Sequence, residues 1–413
     1  MSKRLNASLA TCFALTAIAV PCLAAALPEL AVPKGFGVNI HFRGEARDLD
    51  LIAEAGLRFI RMDLTWGGVE TEKGIYRFQE IGYDALTEGC TKRGIRILYI
   101  LDYSNRLYES ERSVRTEQGR KAFATFAEAA AKRYAGKDIL WEMWNEPNIE
   151  QFWQPQPGVE DYCKLVAETA ALVKKADPSG LVVAPATSGI PLDWLEQCFK
   201  KGLLQYIDVL SVHPYRSKPP ETVITDYADL RKLIGRYAPN GKKIPVISGE
   251  WGYSNVNWDS TPLSNERQAQ YLARMFLTNL SQRIPVSIWY DWCNDGTNPK
   301  EREHNFGTVT HDLQPKAAYL AAKTLASTLA GYNIRERIHL GSDNDFAFRL
   351  ARNHHEAIAA WTTGQEHQVT LKLKSDKGTV ISMLGGKEPI GWKNGELSLG
   401  ISQSPQYLLI EGR

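Results

Sequence analysis

Two glutamates, Glu146 in Trp-Asn-Glu-Pro (144–147) and Glu250 in Ser-Gly-Glu-Trp-Gly (248–252), each follow a short apolar run that reads as a buried strand. Two carboxylates delivered from strand ends are the minimum equipment for cleaving a glycosidic bond. One protonates the departing oxygen, while the other attacks the sugar or activates water. Their separation of 104 residues (250 − 146) leaves room for three strand–helix units of ordinary size. Either glutamate alone would serve equally well as a partner for a helix dipole. The two together, in this register, point to catalysis.

The elements that must position them follow a repeating beat of apolar strand, turn and amphipathic helix. Strands are expected at 37–40, 59–62, 96–101, 139–144, 181–184, 207–212, 244–247 and 285–290. Between them lie helical patterns such as 116–134, whose Phe123, Phe126, Ala127 and Ala130 share one face. Strict alternation implies a parallel sheet with helices outside. Eight units predict a closed (β/α)₈ TIM barrel over residues 33–330, and no Gly-x-Gly-x-x-Gly turn follows the first strand to favour a dinucleotide fold. After residue 330 the rhythm changes to short strands, at 346–350, 356–361, 368–373, 379–384 and 407–411, separated by turn signals. That pattern predicts a small C-terminal β-sandwich over residues 331–413.

Barrel active sites sit at the carboxyl ends of the strands. Arg61, Asn145, Glu146, His213, Tyr215, Glu250 and one of Trp289 or Trp292 are therefore expected to converge on one mouth. A glutamate beside a guanidinium and a tyrosine hydroxyl stays ionised, whereas one beside a carboxylate and an apolar wall is pushed toward the acid. His41 ends the first strand, where a polar side chain orients substrate or simply plugs the barrel. Trp66, Trp153, Trp251, Trp258 and Trp292 are candidates for stacking on sugar rings, with core packing the competing use of such side chains.

With these residues in place, the chain resembles the retaining glycoside hydrolases of clan A, in particular families 5 and 39. The matching segments are Gly-Val-Asn-Ile-His (37–41), Arg-Met-Asp-Leu-Thr-Trp (61–66) and Val-Glu-Thr-Glu-Lys-Gly-Ile-Tyr-Arg-Phe (69–78). They continue with Trp-Asn-Glu-Pro-Asn (144–148), Val-His-Pro-Tyr (212–215) and Gly-Glu-Trp-Gly (249–252), then Asn305-Phe306-Gly307 and Gln314-Pro315-Lys316. The resemblance implies that Glu146 is the acid/base and Glu250 the nucleophile. It implies that Asn145 binds the sugar 2-hydroxyl, and that Arg61, His213 and Tyr215 hold and orient the nucleophile. Strand eight departs from the pattern with Trp289-Tyr290-Asp291-Trp292, and the polar segment 294–305 reads as a substrate-specific lip.

The chain ends and composition narrow the setting. Lys3 and Arg4, an apolar run over 7–20 and Ala24-Ala25-Ala26 predict a secretory signal peptide over residues 1–26. The run is too short to span a bilayer, and no later stretch is longer. Cys90, Cys163, Cys198 and Cys293 lack C-x-x-C spacing and are expected as separate thiols, with Cys163–Cys198 the pairing to test. A net charge of +2 without a basic run excludes nucleic acid as partner. His354-His355-Glu356 falls in a turn between strands, so no metal or cofactor is expected. The expectation is an exported, monomeric β-glycoside hydrolase that cuts within a polysaccharide by double displacement. Its alternatives are an exo-glycosidase, a transglycosylase and a non-catalytic carbohydrate-binding protein.

Overall fold

A computed structural model describes residues 26–41 and 45–411. The leader expected over residues 1–26 lies, but for Ala26, outside the described residues. Eight parallel strands close into a barrel in sequence order: β1 (Phe36–Asn39), β2 (Phe59–Thr65), β3 (Arg96–Asp102), β4 (Leu140–Met143), β5 (Leu181–Ser188), β6 (Val209–His213), β7 (Val246–Trp251) and β8 (Ser287–Trp289). β8 pairs back onto β1 through Phe36↔Ser287 and Val38↔Trp289. No helix among the described residues is long and apolar enough to cross a membrane.

Alternation along the strands builds two cores. Phe59, Leu98, Leu140, Val183, Val209, Ile247, Val286 and Ile288 pack together as a plug inside the barrel. Their neighbours one residue away, such as Ile60, Tyr99, Trp141 and Leu210, join the larger core under the outer helices. The helix Glu117–Arg133 shows why this sequence folds locally as it does. Thr116 Oγ1 accepts from Gly119 N at 2.9 Å to cap its start, and Lys132 and Arg133 sit at its negative end. Phe123, Phe126, Ala127 and Ala130 form its buried face.

Beyond the barrel, the chain continues with β9 (Asn333–Ile338), β10 (Asp345–Arg352), β11 (His355–Thr362), β12 (His367–Lys372), β13 (Lys377–Ser382), β14 (Lys387–Gly391), β15 (Glu396–Ile401) and β16 (Gln406–Ile410). They form a six-stranded sheet, β14-β13-β16-β11-β10-β9, and a two-stranded sheet, β12-β15. Leu371, Leu397, Ile401 and Ile358 fill the space between the two. The other face of the large sheet offers Phe346, Phe348, Trp361 and Tyr407 to the barrel core. Trp361 Nε1 donates to Glu221 Oε1 at 2.7 Å, and Glu221 is also gripped by both sides of the buried Arg274 guanidinium at 2.6 and 2.8 Å.

Three strands escaped the sequence pattern. β9 and β14 are the two edges of the large sheet, and edge strands carry charges and proline where a central strand would carry apolar residues. β15 alternates cleanly but pairs only with β12, in the small sheet. All four described cysteines are free thiols, with Cys163 Sγ 3.9 Å from the Cys198 carbonyl oxygen.

Candidate active site

Above the apolar plug the inward positions turn polar, because each strand continues its alternation with a different residue type. Arg61 follows Phe59 on β2, Glu142 follows Leu140 on β4, and Ser211 and His213 follow Val209 on β6. Arg61 is the hub. Its Nε donates to Glu142 Oε2 at 2.6 Å, Nη2 to Asn145 Oδ1 at 2.8 Å, and Nη1 to Asn39 Oδ1 at 3.2 Å and to Glu250 Oε2. Burial works against its charge, but the carboxylates of Glu142 and Glu250 outweigh that and hold the guanidinium protonated well above its ordinary range.

Glu250 reaches this hub through an irregularity. Simple alternation would put Gly249 inside the barrel and Glu250 outside. The pairing of β7 with β8 slips between Ser248↔Ser287 and Trp251↔Trp289, three residues against two. This one-residue bulge turns Glu250 inward as well. Gly249 is required beneath it, since a Cβ there would lie 2.2 Å from Ser211 Oγ and 2.9 Å from Glu142 Oε1. Tyr215 OH donates to Glu250 Oε1 at 2.7 Å. Burial and the Glu250 charge push the ionisation of the Tyr215 phenol far upward, so it remains a donor.

Glu146 is set by backbone in the left-handed region, with φ of 73° at Trp144 and 46° at Glu146 itself. Its N–H donates to the Ala186 carbonyl at 2.9 Å, and Ala186 sits at a second bulge, between β5 and β6. Strained backbone of this kind collects where a side chain must be aimed. His213 Nδ1 lies 3.0 Å from Glu146 Oε1, and its Nε2 lies 3.4 Å from Arg61 Nη2. A guanidinium only donates, so Nε2 accepts and the His213 proton is on Nδ1, facing Glu146. His213 therefore attends the expected acid/base, and not the nucleophile as the resemblance implies. One oxygen each of Glu146 and Glu250 and a His213 nitrogen all lie within 4.8 Å of one another.

The pair opens onto a cleft of about 700 Å³ lined by Asn145, Phe152, Tyr215, Trp258, Tyr290, Arg302 and Glu303, among others. Arg302 and Glu303 come from the polar 294–305 segment. Trp258 is 58% exposed, with the Arg302 guanidinium 3.5 Å above its ring centre. Across Phe152, which stacks on Tyr103 at 5.8 Å, a second cavity of about 470 Å³ is lined by Tyr103, Arg106 and Arg112. His41 and Trp292 line a third, of about 410 Å³, with His41 5.7 Å from the Tyr290 ring.

Five tryptophans depart from the sequence reading. Trp251 is fully buried, with the Arg216 guanidinium 5.3 Å and the Tyr253 ring 5.9 Å from its ring centre. Trp66 is fully buried, donating from Nε1 to Glu70 Oε2 at 2.5 Å and stacked on Tyr108 at 5.2 Å. Trp153 packs between Trp144 and Tyr162. Trp289 points away from the cleft because Ile288 occupies the inward register, which leaves Tyr290 as the strand-eight aromatic facing it. Trp292 is 1% exposed and held by Asp48 Oδ1 at 2.7 Å. None of the five offers a free ring face to a sugar, and of the described tryptophans only Trp258 is both exposed and in the cleft. The sequence reading passed over Glu142, Asn39 and Tyr290. A charged residue such as Glu142 inside the apolar run 139–144 was the one available signal.

A sequence model of the Cellulase family (glycosyl hydrolase family 5) matches residues 31–296, which contain both glutamates and all eight strands. The chain belongs to this family. The family is one of glycosyl hydrolases. The chain's similarity extends beyond family 5. It is 33% identical over 217 residues to a β-xylosidase of Geobacillus stearothermophilus, covering 46% of this chain and 42% of that one. The chain thus spans less than half the length of the curated relatives it matches. Among solved structures, a family 39 glycoside hydrolase from Bacteroides cellulosilyticus superposes with a TM-score of 0.81 at 27% identity, over 94% of this chain and 82% of that one. A family 39 β-xylosidase from Caulobacter crescentus superposes at 0.68 with 17% identity, over 95% and 98%, a likeness of fold.

In this family 5 chain the Tyr215–Glu250 contact yields an expected outcome for a residue expected to be the nucleophile. A phenol that donates to a carboxylate serving in that role must lose that bond as the carboxylate becomes an ester. Tyr215→Phe therefore lowers kcat by roughly tenfold or more while KM changes little. Steady-state kinetics on an aryl glycoside measure the split, and a change confined to KM would contradict it.

Proposed function

We propose that this chain is an exported retaining β-glycosidase that hydrolyses internal bonds of a polysaccharide. Glu250 attacks the anomeric carbon while Glu146 passes its proton to the departing oxygen. This leaves a glycosyl ester on Glu250. Glu146, now ionised, then takes a proton from water as the water oxygen displaces Glu250, which restores both carboxyl groups. The observation that carries this reading is the approach of the two carboxyls, within 4.8 Å oxygen to oxygen. Retaining enzymes hold their carboxyls about 5–5.5 Å apart, whereas inverting enzymes need roughly 6.5–9.5 Å to admit a water. The donors on Glu250 suit an attacking oxyanion, and the His213 hydrogen bond to Glu146 Oε1 leaves Oε2 to carry the proton.

Cutting within a chain requires room for sugars on both sides of the bond. The cleft and the cavity beyond Phe152 supply it, with Trp258 exposed at the lip. Export is supported by the basic start, apolar run and small residues of the first 26 positions. A second reading, stepwise release of xylose, is favoured by the similarity to the Geobacillus β-xylosidase.

A time course on soluble β-linked polysaccharides, xylan included, separates the two. Internal cutting gives an early fall in viscosity with few new reducing ends. Steady release of xylose from the first minutes, with viscosity unchanged, overturns it. Repeating the assay with excess sugar acceptor tells hydrolysis from transfer, since transfer lengthens products instead of shortening them.

A further inference from the structure

Next to the cleft, where β1 ends and the chain leaves β8, a group of side chains remains outside the chemistry described above. Among the described residues only two clusters bring ligating atoms of three His, Cys, Asp or Glu residues within 4.8 Å of one another. One is the catalytic group, and the other is His41, Asp291 and Asp295. His41 Nδ1 lies 3.1 Å from Asp295 Oδ1 and 3.8 Å from Asp291 Oδ2. Asp291 is 2% exposed, and its Oδ1 has no hydrogen-bond partner. A buried carboxylate oxygen without a donor is costly. The three residues line the cavity of about 410 Å³, together with Glu45, Asp48 and His311.

No arginine or lysine is among the described residues lining that cavity. The nearest buried ammonium, Lys316, spends its hydrogen bonds on Asn255 at 2.9 Å and Asn294 at 3.3 Å. Asp48 Oδ1 is taken by Trp292. His41 Nε2 lies 3.1 Å from Asn39 Nδ2, whose own Oδ1 is held by Arg61, so only Nδ1 of the imidazole faces the two aspartates. That contact still leaves Asp291 Oδ1 without a donor.

We propose that His41, Asp291 and Asp295 bind a divalent cation, with one imidazole nitrogen and two carboxylates as its protein ligands. A mixed nitrogen and oxygen donor set suits Mn²⁺ or Zn²⁺ better than Ca²⁺, which takes oxygen ligands. The cation would tie the start of the 294–305 segment, through Asp295, to the ends of β1 and β8. Arg302 and Glu303 of that same segment line the cleft. The ion would thereby fix the wall of the substrate site without entering the reaction. The inference stands independently of which polysaccharide is cut.

Calorimetric titration of the chelator-treated full chain with MnCl₂ or ZnCl₂ tests it, alongside thermal unfolding with and without the ion. The expected result is one ion per chain, a higher Tm, and binding at least about tenfold weaker in Asp295→Asn and in Asp291→Asn. Asp295 lies in an exposed loop, so its variant folds whatever becomes of the buried Asp291 change. Glu250→Gln, in the other cluster, keeps full cation affinity. The inference is overturned if neither ion binds at millimolar concentration, or if Asp295→Asn binds as the wild type does. It is equally overturned if affinity is lost only in Glu250→Gln, which would assign the ion to the catalytic pair.

Discussion

Replacing Glu250 by alanine lowers turnover on a natural glycoside by at least about four orders of magnitude, equivalent to roughly 5.5 kcal/mol of transition-state stabilisation. The substitution removes the attacking oxygen but leaves Glu146 and His213 in place, so proton donation to the leaving group survives. Sodium azide, entering the space left by the carboxylate, attacks the anomeric carbon from the same side. It restores a measurable rate on an activated aryl glycoside and gives a glycosyl azide of inverted configuration. NMR of the anomeric proton reads both outcomes, because the wild type returns product of retained configuration. Inversion by the wild type, or substantial activity in the alanine variant, would falsify the double-displacement assignment.

Arg61 is expected to matter for folding as well as for rate. Its guanidinium is buried and bonded to Glu142, Asn145, Asn39 and Glu250. Arg61→Met strands Glu142, which is wholly buried and keeps only the Ser211 hydroxyl at 2.6 Å as a donor. Breaking a buried pair from one side costs about 3–5 kcal/mol, because the remaining charge has no partner. At roughly 2 °C per kcal/mol for a chain of this size, the Tm falls by about 6–10 °C. Adding Glu142→Gln removes the stranded charge and recovers part of the loss, although activity stays low because Glu250 is still without its guanidinium. Thermal unfolding by circular dichroism checks this. A single variant that melts with the wild type, or a double variant no better than the single, contradicts the hub.

Much of the fold was legible because its signals are local. Eight short apolar runs separated by amphipathic helices locate eight strands, and Thr116 and the face of Phe123, Phe126, Ala127 and Ala130 define a helix without any distant partner. Of the five C-terminal strands found, β10, β11, β13 and β16 lie inside the large sheet, and β12 belongs to the small one. β9 and β14 were passed over because edge strands are protected by the polar residues and proline that make them look like loops. The tryptophans were overread for a related reason. Composition cannot say which face of Trp66, Trp153, Trp289 or Trp292 is covered, and each is covered by residues remote in sequence, such as Phe123 over Trp66 and Asp48 on Trp292.

By itself, the sequence determined the chemistry to look for and its candidate carriers: two glutamates at the ends of the fourth and seventh strands, Asn145 beside the first, and Arg61, His213 and Tyr215 at the matching ends of other strands. Those choices rest on residue type and on the alternation of strand and helix, both of which are written along the chain. Only the tertiary structure decided how the carriers are aimed. Glu250 faces inward because β7 slips by one residue against β8, a property of pairing between strands that no single-strand pattern contains. Glu142 gains its place from Arg61, 81 residues earlier, and His213 turns to Glu146, 67 residues earlier. Hydrogen bonds across a barrel depend on closure. They exist only once β1 and β8 have met.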